Sequence, residues 1–269
     1  MAIGICISGV AGRMGQRLLA LAREDPELEV RAALEQPGHP WVGQDLGPVA
    51  GRSTCGVLVT PALDRKSGAQ VMIDFSLAAG SVQRAEEAAG LGLALVVGTT
   101  GFDEAQKARL KACAAKVPMI VAPNFSVGVN VLLRAAAIVA KALGPEYDVE
   151  IVETHHDQKL DAPSGTALAL AEHVASALGR ELKKDAVYGR KGMVGRRTRS
   201  EIGIHAVRLG DVVGDHTVHF AVGGERLELT HRATSRDTFA RGALRAAKWL
   251  VRNHKPAGIY NMAQVLAIE

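Results

Sequence analysis

The first 125 residues alternate short apolar runs with stretches of helical spacing, and this alternation limits the possible folds more than any other feature of the sequence. The apolar runs lie at 3–8, 28–34, 71–75, 93–98 and 118–123. Helical spacing is found at 12–24, 79–90 and 103–115. Strands separated by helices form βαβ units, so a mostly parallel sheet is predicted. Because the runs are apolar throughout, helices are expected on both faces of that sheet.

The pattern changes after residue 126 and predicts a second domain of α+β type. Helices are expected at 127–143 and 164–178, strands at 148–156, 202–209, 215–222 and 225–233, and a closing helix at 237–253. Turn signals at Gly210-Asp211 and Gly223-Gly224 predict that antiparallel hairpins connect the last three strands. The basic, glycine-rich segment 180–200 is predicted to be a solvated, mobile loop.

Composition excludes several classes of protein. The 269 residues, 48% of them hydrophobic, suffice for one large or two modest cored domains. A net charge of +4 and few aromatic residues argue against nucleic-acid binding. Cys6, Cys55 and Cys113 fit neither a disulfide framework nor a zinc ribbon, which favours the reducing cytoplasm. Neither a signal peptide nor a membrane span is expected.

A glycine-rich turn follows the first predicted strand. The segment GVAGRMG places Gly9, Gly12 and Gly15 where the chain enters its first helix, with Ala11 at the second glycine position of the usual G-x-G-x-x-G pattern. Such a turn lets a pyrophosphate approach the helix N-terminus. Glu35 ends the second strand 20 residues after Gly15, where an acid accepts the ribose hydroxyls of a dinucleotide. An ordinary strand-to-helix turn and a solvated acid remain the alternatives.

The neighbouring residues bear on which nucleotide is bound. Glu35 is followed by the neutral Gln36, whereas a site for the 2′-phosphate of NADPH usually supplies a cation there. Arg13 could reach that phosphate from the glycine turn, with an ordinary exposed helix arginine as the alternative, so NADH is favoured and NADPH is possible. The loops GTTG at 98–101 and APNFS at 122–126 follow two further strands, at the edge where an open α/β sheet binds its ligand.

The segment ETHHDQKLDAPSGTAL at 153–168 carries the most specific chemical pattern. Successive strand residues point to opposite faces, so His155 and His156 suit acid–base or anion-binding roles better than a shared metal, and no metal is expected. Ser164 is a natural N-cap, and the N–H groups of Gly165 and Thr166 would receive a carboxylate, with Lys159 close by in sequence. Surface histidines and a merely capped helix are the alternatives.

Together these motifs resemble one enzyme family. The segments GVAGRMG, GTTGF, APNFSVGVN and above all E-x-HH-x-x-K-x-DAPSGTA are similar to those of 4-hydroxy-tetrahydrodipicolinate reductases, formerly dihydrodipicolinate reductases, of bacterial lysine and diaminopimelate biosynthesis. The similarity continues through GRKGMVGRR and EIGIHAVRLGDVVGDHTVHFA to the terminal PAGIYNM, so it covers essentially the whole chain. The departure is Gln36, where many members have a basic residue.

The resemblance implies a fold, an assembly and a set of roles. It implies a Rossmann-like dinucleotide domain at 1–126 plus 237–269, and a substrate-binding and oligomerisation domain at 127–236 of a homotetramer. It implies NADH or NADPH as cofactor and a small cyclic dicarboxylate as substrate. The cofactor residues implied are Gly9, Val10, Ala11, Gly12, Arg13, Met14, Glu35, Gly98, Thr99, Thr100, Ala122, Pro123, Asn124 and Phe125. His155 and Lys159 are implied as proton-transfer residues, with His156, Gly165 and Thr166 holding the substrate.

Two other functions are compatible with parts of the pattern. One is a reductase of the same architecture that acts on a different small acid or imine. The other is a dinucleotide-sensing regulator without turnover. His155 and Lys159 discriminate against the regulator, because a sensor needs the glycine turn and Glu35 but has no use for a proton donor beside a carboxylate pocket.

Overall fold

The computed structural model describes all residues, 1–269, and the chain divides into two compact units. Unit 1 comprises 1–126 and 236–267, and unit 2 comprises 127–235 and 268–269. No helix has the length and the apolar character that crossing a membrane requires.

The strands and helices follow the predicted alternation and add several short elements. The strands are β1 (Ile3–Ser8), β2 (Leu28–Leu34), β3 (Val59–Thr60), β4 (Val71–Asp74), β5 (Ala94–Val97), β6 (Pro118–Val121), β7 (Asp148–His155), β8 (Ala186–Tyr188), β9 (Ile202–Arg208), β10 (Gly214–Val222), β11 (Glu225–Ala233) and β12 (Gly258–Tyr260). The helices are α1 (Arg13–Glu24), α2 (Leu46–Val49), α3 (Ala78–Gly90), α4 (Glu104–Ala114), α5 (Val127–Leu143), α6 (Gly165–Ala177), α7 (Leu182–Asp185), α8 (Asp237–Arg252) and α9 (Met262–Leu266).

Unit 1 is built on a seven-stranded sheet in the order β12-β6-β5-β4-β1-β2-β3, with every neighbouring pair parallel. Ile5 and Ile7 on one face of β1 belong to the core that includes α1 and α8. Cys6 faces the opposite core, which α3 and α4 complete. Helices cover both faces, as the unbroken apolar runs predict, and the doubly wound parallel sheet is confirmed. The strand order reverses its direction of growth at β1, where such sheets bind nucleotides.

Unit 2 is built on a mixed five-stranded sheet in the order β11-β10-β7-β9-β8. The β10–β11 hairpin is antiparallel as predicted. The predicted β9–β10 hairpin is wrong, because β7 lies between these strands, parallel to β9 and antiparallel to β10. The Gly210 turn bonds to the end of β7 instead: Gly210 O accepts from Asp157 N, and Leu209 N donates to His155 O. Helices α5 and α6 complete the hydrophobic core of this unit.

The basic segment 180–200 is more ordered than its composition predicts. It contains α7 and β8, and two of its arginines are held by acids of β7 and by the acid before β9. Arg197 donates to Asp148 Oδ1 at 2.8 Å and to Glu150 Oε1 at 3.0 Å, while Arg190 bonds Glu150 and Glu201. These bonds, together with one to His205, hold the pKa of Glu150 down at about 2 despite its burial. The prediction of a loop is therefore wrong for 182–188, which form α7 and β8, whereas the residues of 191–200 are exposed apart from Arg197, as a solvated loop requires.

Candidate active site

The glycine turn after β1 forms an open anion site at the start of α1. Gly9 adopts a left-handed conformation (φ 69°), and its carbonyl accepts from Gly12 N at 3.0 Å. Gly12 is the N-cap of α1 and offers no side chain to bond the first-turn N–H groups. Those N–H groups and the helix dipole favour a phosphate at this position. The turn therefore fits the pyrophosphate of a dinucleotide, which supplies hydride chemistry when bound.

Glu35 lies against the same turn. Its Oε2 accepts from Ala11 N at 3.1 Å, and its Oε1 accepts from Gln36 N at 2.9 Å. The N–H groups of Gly9 and Val10 both donate to the carbonyl of Leu34, the residue before Glu35. The end of β2 and the glycine turn are thus held together, and the structure unites two motifs that the sequence separates by about 20 residues.

The loops after β4, β5 and β6 meet at the same edge of the sheet. The buried Asp74 accepts from Ser76 Oγ at 2.8 Å and from Thr99 Oγ1 at 3.1 Å. Gly98 lies under the ring of Phe75, where a Cβ would come within 2.1 Å of that ring. Phe75 also packs against Phe125, with ring centroids 5.7 Å apart. Both loops predicted to flank the nucleotide, 98–100 and 122–125, therefore lie with their strands at the nucleotide-binding edge.

In unit 2, the end of β7 presents His155 with one ring nitrogen bound and the other open. Alternation along β7 places Glu153 and His155 on the buried face, and His155 Nδ1 lies 2.5 Å from Glu153 Oε2. The ring rests over Gly214, where an added Cβ would lie 2.9 Å from Nε2. The ring's hydrogen bond to the protein is made through Nδ1, and 11% of the side chain is exposed. Nε2 is therefore the atom that can exchange a proton with a ligand.

Glu153 is completely buried, and each of its oxygens is bonded. Oε1 accepts from Ser164 N at 3.1 Å, and Arg208 donates to both oxygens at 3.1 Å. Burial favours the neutral acid, but the bonds from His155 and Ser164 N and the charge of Arg208 outweigh it and lower the pKa of Glu153. Arg208 also donates to the carbonyl of Asp161 at 2.6 Å, which ties β9 to the loop that carries Lys159.

The remaining predicted residues of unit 2 lie along this loop and at the start of α6. Lys159 Nζ pairs with Asp161 Oδ1 at 2.8 Å, and this bond lowers the pKa of Asp161. Ser164 caps α6, because its Oγ accepts from Ala167 N at 3.2 Å. A Cβ at Gly165 would meet nothing within 4 Å, so the helix start is open to a ligand. His156, the residue after β7, is partly exposed. No group of His, Cys, Asp or Glu is arranged to hold a metal ion.

His216 on β10 completes the cluster and is held neutral. Its ring meets that of His155 edge to face at 5.1 Å, and its Nε2 lies 3.2 Å from Ser164 Oγ. Burial, and then the proximity of His155, lower the pKa of His216 to about 4. Ser164 Oγ already accepts from Ala167 N, so its proton is free to be donated to His216 Nε2.

We expect His216 to make the protein less stable in mild acid. In the unfolded chain the His216 ring takes up a proton near pH 6.5, whereas in the folded protein it does so near pH 4. The free energy of unfolding that comes from this difference is present above pH 6.5 and is lost as the pH falls towards 4. Between pH 7 and 5 the loss from this group is about 2 kcal/mol. In urea titrations at these two pH values, His216→Gln should reduce the pH dependence by that amount. His219→Gln, on the opposite face of β10, is the control, and equal pH dependence in His216→Gln and the parent would contradict the assignment.

The sequence pattern did not assign roles to Glu153, Arg208 or His216. Glu153 lies within the E-x-HH motif, so a signal was present in the spacing of two that puts it on the same strand face as His155. In the strand register, Arg208 of β9 lies opposite His155, and His216 of β10 lies opposite Glu153. Because these contacts depend on strand register, no local pattern identifies them.

The nucleotide edge of unit 1 and the His–Glu cluster of unit 2 define a dinucleotide-dependent oxidoreductase. Family models described as dihydrodipicolinate reductase, N-terminus and C-terminus, match residues 3–125 and 128–266. The 4-hydroxy-tetrahydrodipicolinate reductase of Thiobacillus denitrificans is 50% identical over 270 residues, covering 100% of both chains. That of Citrifermentans bemidjiense is 49% identical over 267 residues, covering 99% of each. The chain belongs to the dihydrodipicolinate reductase family.

A solved structure extends the similarity to three dimensions. The dihydrodipicolinate reductase of Paenisporosarcina sp. TG-14, determined with dipicolinate bound, superposes with a TM-score of 0.74 at 25% identity, over 98% of this chain and 99% of that one. The fold class predicted from the sequence is confirmed by this neighbour.

Proposed function

We propose that this enzyme reduces 4-hydroxy-tetrahydrodipicolinate with NADH or NADPH, using His155 for proton transfer. The observation that carries the proposal is the open Nε2 of a histidine whose Nδ1 is held by a buried carboxylate, close in the chain to a lysine and a helix start. The full-length identity with enzymes named for this reaction supports the substrate. A regulator without turnover would need none of these groups.

The reaction requires a hydride, a proton and the loss of water. A nicotinamide nucleotide held by unit 1 would supply the hydride, and one proton is taken up as the hydroxyl group of the substrate leaves as water to give tetrahydrodipicolinate. His155 Nε2 holds or delivers the proton, since histidine is the side chain that most often serves as general acid or base. Lys159 is the further group proposed as a donor of this proton, and it would have to leave Asp161 to reach the substrate.

The two carboxylates of the substrate need cations and N–H donors. Lys159, the helix-start N–H groups of Gly165 and Thr166, and His156 provide them within one short segment. A dicarboxylate of the same ring, dipicolinate, is bound by the relative from Paenisporosarcina, which supports this class of ligand.

Unit 1 is proposed to hold the nucleotide, with NADH used well and NADPH possible. Glu35 would accept the ribose hydroxyls, and the neutral Gln36 beside it is exposed. A nearby cation, Arg84, donates to the carbonyl of Glu35 at 3.2 Å, but it is paired with Glu87 at 2.8 Å. Its charge is therefore already balanced, which leaves Arg13 as the cation of the turn for a 2′-phosphate.

We expect Gln36→Arg to shift the preference towards NADPH. A charge-assisted bond to the 2′-phosphate contributes about 1.5–3 kcal/mol, so kcat/KM for NADPH relative to NADH should rise about tenfold or more. Steady-state kinetics with both nucleotides measures this ratio. Gln83→Arg adds the same charge on the exposed side of α3 and controls for a general field effect. An unchanged ratio in Gln36→Arg would show that this position does not set the preference.

Unit 2 is also proposed to form the contacts of a homotetramer. One face of its sheet packs on α5 and α6 in the core, whereas side chains of the other face, including Val207 and Thr230, are exposed. We place the enzyme in the cytoplasm, because its three cysteines are all free thiols.

The proposed activity is tested by a direct assay. The purified protein is mixed with NADH or NADPH and with freshly generated 4-hydroxy-tetrahydrodipicolinate, and the absorbance of the reduced nicotinamide is followed. Oxidation that requires this substrate is expected. A cyclic imine with a single carboxylate serves as the matched comparison and should be a much poorer substrate. Equal rates with both compounds would favour a reductase of a different acid, and no oxidation with either nucleotide would overturn the proposal.

A further inference from the structure

Glu153 has the surroundings of a group that controls a neighbouring base and does not meet substrate itself. It is fully buried, and its four contacts come from the protein: His155 Nδ1, Ser164 N and two nitrogens of Arg208. A buried carboxylate this well bonded remains ionised, and its pKa is lowered accordingly. A carboxylate on one ring nitrogen of a histidine decides which nitrogen carries the proton in the neutral ring.

The two oxygens of Glu153 are not equivalent. Oε1 accepts from the backbone N–H of Ser164 and from Arg208, so this position must always be an acceptor. Oε2 lies 2.5 Å from His155 Nδ1 and also accepts from Arg208 at 3.1 Å. Nδ1 must therefore donate its proton to Oε2, and Nε2 is left as the atom that gains and loses a proton.

The other charged and titratable groups around the His155 ring are also compatible with a proton on Nδ1. Arg208 at the end of β9 balances the charge of Glu153 from one side. His216 on β10, edge-on to the His155 ring, is kept uncharged by burial, so it adds no positive charge. Lys159 is paired with Asp161 on the following loop. Glu153 is consequently the one anion in direct contact with His155.

We propose that Glu153 is a positioning residue for the reduction: it holds His155 Nδ1–H and thereby keeps Nε2 as the proton-transferring atom. The inference rests on the proposed role of His155. The negative charge of Glu153 also lies directly beside the positive charge that the ring carries when Nε2 takes up a proton.

Glu153→Gln tests this inference, because the surroundings fix how the amide is oriented. Its oxygen is favoured at the Oε1 position, which accepts from Ser164 N and from two nitrogens of Arg208, and this turns its NH2 group towards His155 Nδ1. The ring must then accept at Nδ1 and carry its proton on Nε2. We expect kcat to fall about 10- to 100-fold with little change in the KM for the nucleotide. Because the variant lacks the anion beside the ring, the alkaline limb of the kcat–pH profile should move towards acid.

Two measurements keep the test independent of folding and of the proposed substrate. In histidine ¹⁵N spectra of the parent protein, with the His155 signals assigned by their loss in His155→Gln, the neutral ring should carry its proton on Nδ1. In Glu153→Gln it should carry the proton on Nε2. Glu228→Gln removes the same charge from another Glu–His pair, in which His219 Nδ1 lies 3.3 Å from Glu228, and should alter neither the His155 spectrum nor the profile.

The outcomes separate the two proposals. An Nε2–H tautomer in the parent, or a Glu153→Gln variant with the parental tautomer and pH profile, would overturn the positioning role while the reductase function stands. A shifted tautomer in a protein that fails to reduce the substrate would support the positioning role and reject the proposed reaction. A uniform loss of activity, with the tautomer and the profile unchanged, would make Glu153 only a structural residue and reject the inference.

Discussion

Replacing His155 with glutamine should lower kcat for the reduction by about 100- to 10,000-fold, the usual contribution of a positioned general acid or base. Glutamine is similar in length and can still bond Glu153, so the buried carboxylate is not left without a partner. An amide, however, exchanges no proton at neutral pH. Because the proposed nucleotide residues all belong to unit 1, the dissociation constant for NADH should stay close to that of the parent.

Two measurements decide this prediction: steady-state turnover and a fluorescence titration of nucleotide binding. His173→Gln is the matched control, since His173 lies exposed on α6 and its Nδ1 bonds only the carbonyl of Ala169 at 2.8 Å. Near-parental turnover in His155→Gln would remove His155 from proton transfer. Loss of nucleotide binding together with turnover would point to damage beyond the proton step.

The elements of unit 1 were predictable because each is indicated by residues that are close together in the sequence. The apolar runs at 3–8 and 28–34 coincide with β1 and β2, and the glycine turn lies between the first strand and the first helix. Edge strands such as β3 and β12 were not predicted as strands. They have two and three residues, too few for a pattern of period two to be recognised.

Unit 2 was predictable in its elements but not in its pairing. The turn signal at Gly210-Asp211 indicates that the chain reverses there, but it does not say which strand fills the space between β9 and β10. That place belongs to β7, about 50 residues earlier in the chain. The same long-range pairing brings Arg208 and His216 to Glu153, so the sequence motif located His155 and left its supporting groups unassigned.

The acids that bind the arginines of the basic segment could not be predicted from the sequence either, because they are distant from those arginines along the chain. Arg190 and Arg197 are separated in sequence from Glu150 by 40 and 47 residues. A run of like charges predicts solvation only when no opposite charges are close. Here β7 and β9 place Glu150 and His205 on one sheet face, and the arginines return to that face.

Gly15→Ala should destabilise the protein and abolish useful nucleotide binding. A Cβ at this position would lie 2.2 Å from Gly9 O and 2.6 Å from Val10 Cα. Both are backbone atoms, so the overlap is relieved only if the whole turn moves. In an open helix position the same change would be favourable by up to about 1 kcal/mol. The overlap outweighs this gain, and we expect the free energy of unfolding to fall by about 3 kcal/mol.

Nucleotide affinity should fall with stability, because the moved turn is the one that receives the pyrophosphate and bonds Glu35 through Ala11 N. A loss of about 100-fold in affinity, equal to about 2.7 kcal/mol, is expected in a titration with NADH well below the melting temperature. Gly80→Ala is a close control: Gly80 is the third residue of α3 as Gly15 is of α1, but its Cβ would meet only Ser76 Oγ at 3.7 Å. Gly80→Ala should be neutral or stabilising. If Gly15→Ala and Gly80→Ala behaved alike, the close packing of Gly15 against the Gly9 carbonyl would not be the reason that position 15 requires glycine.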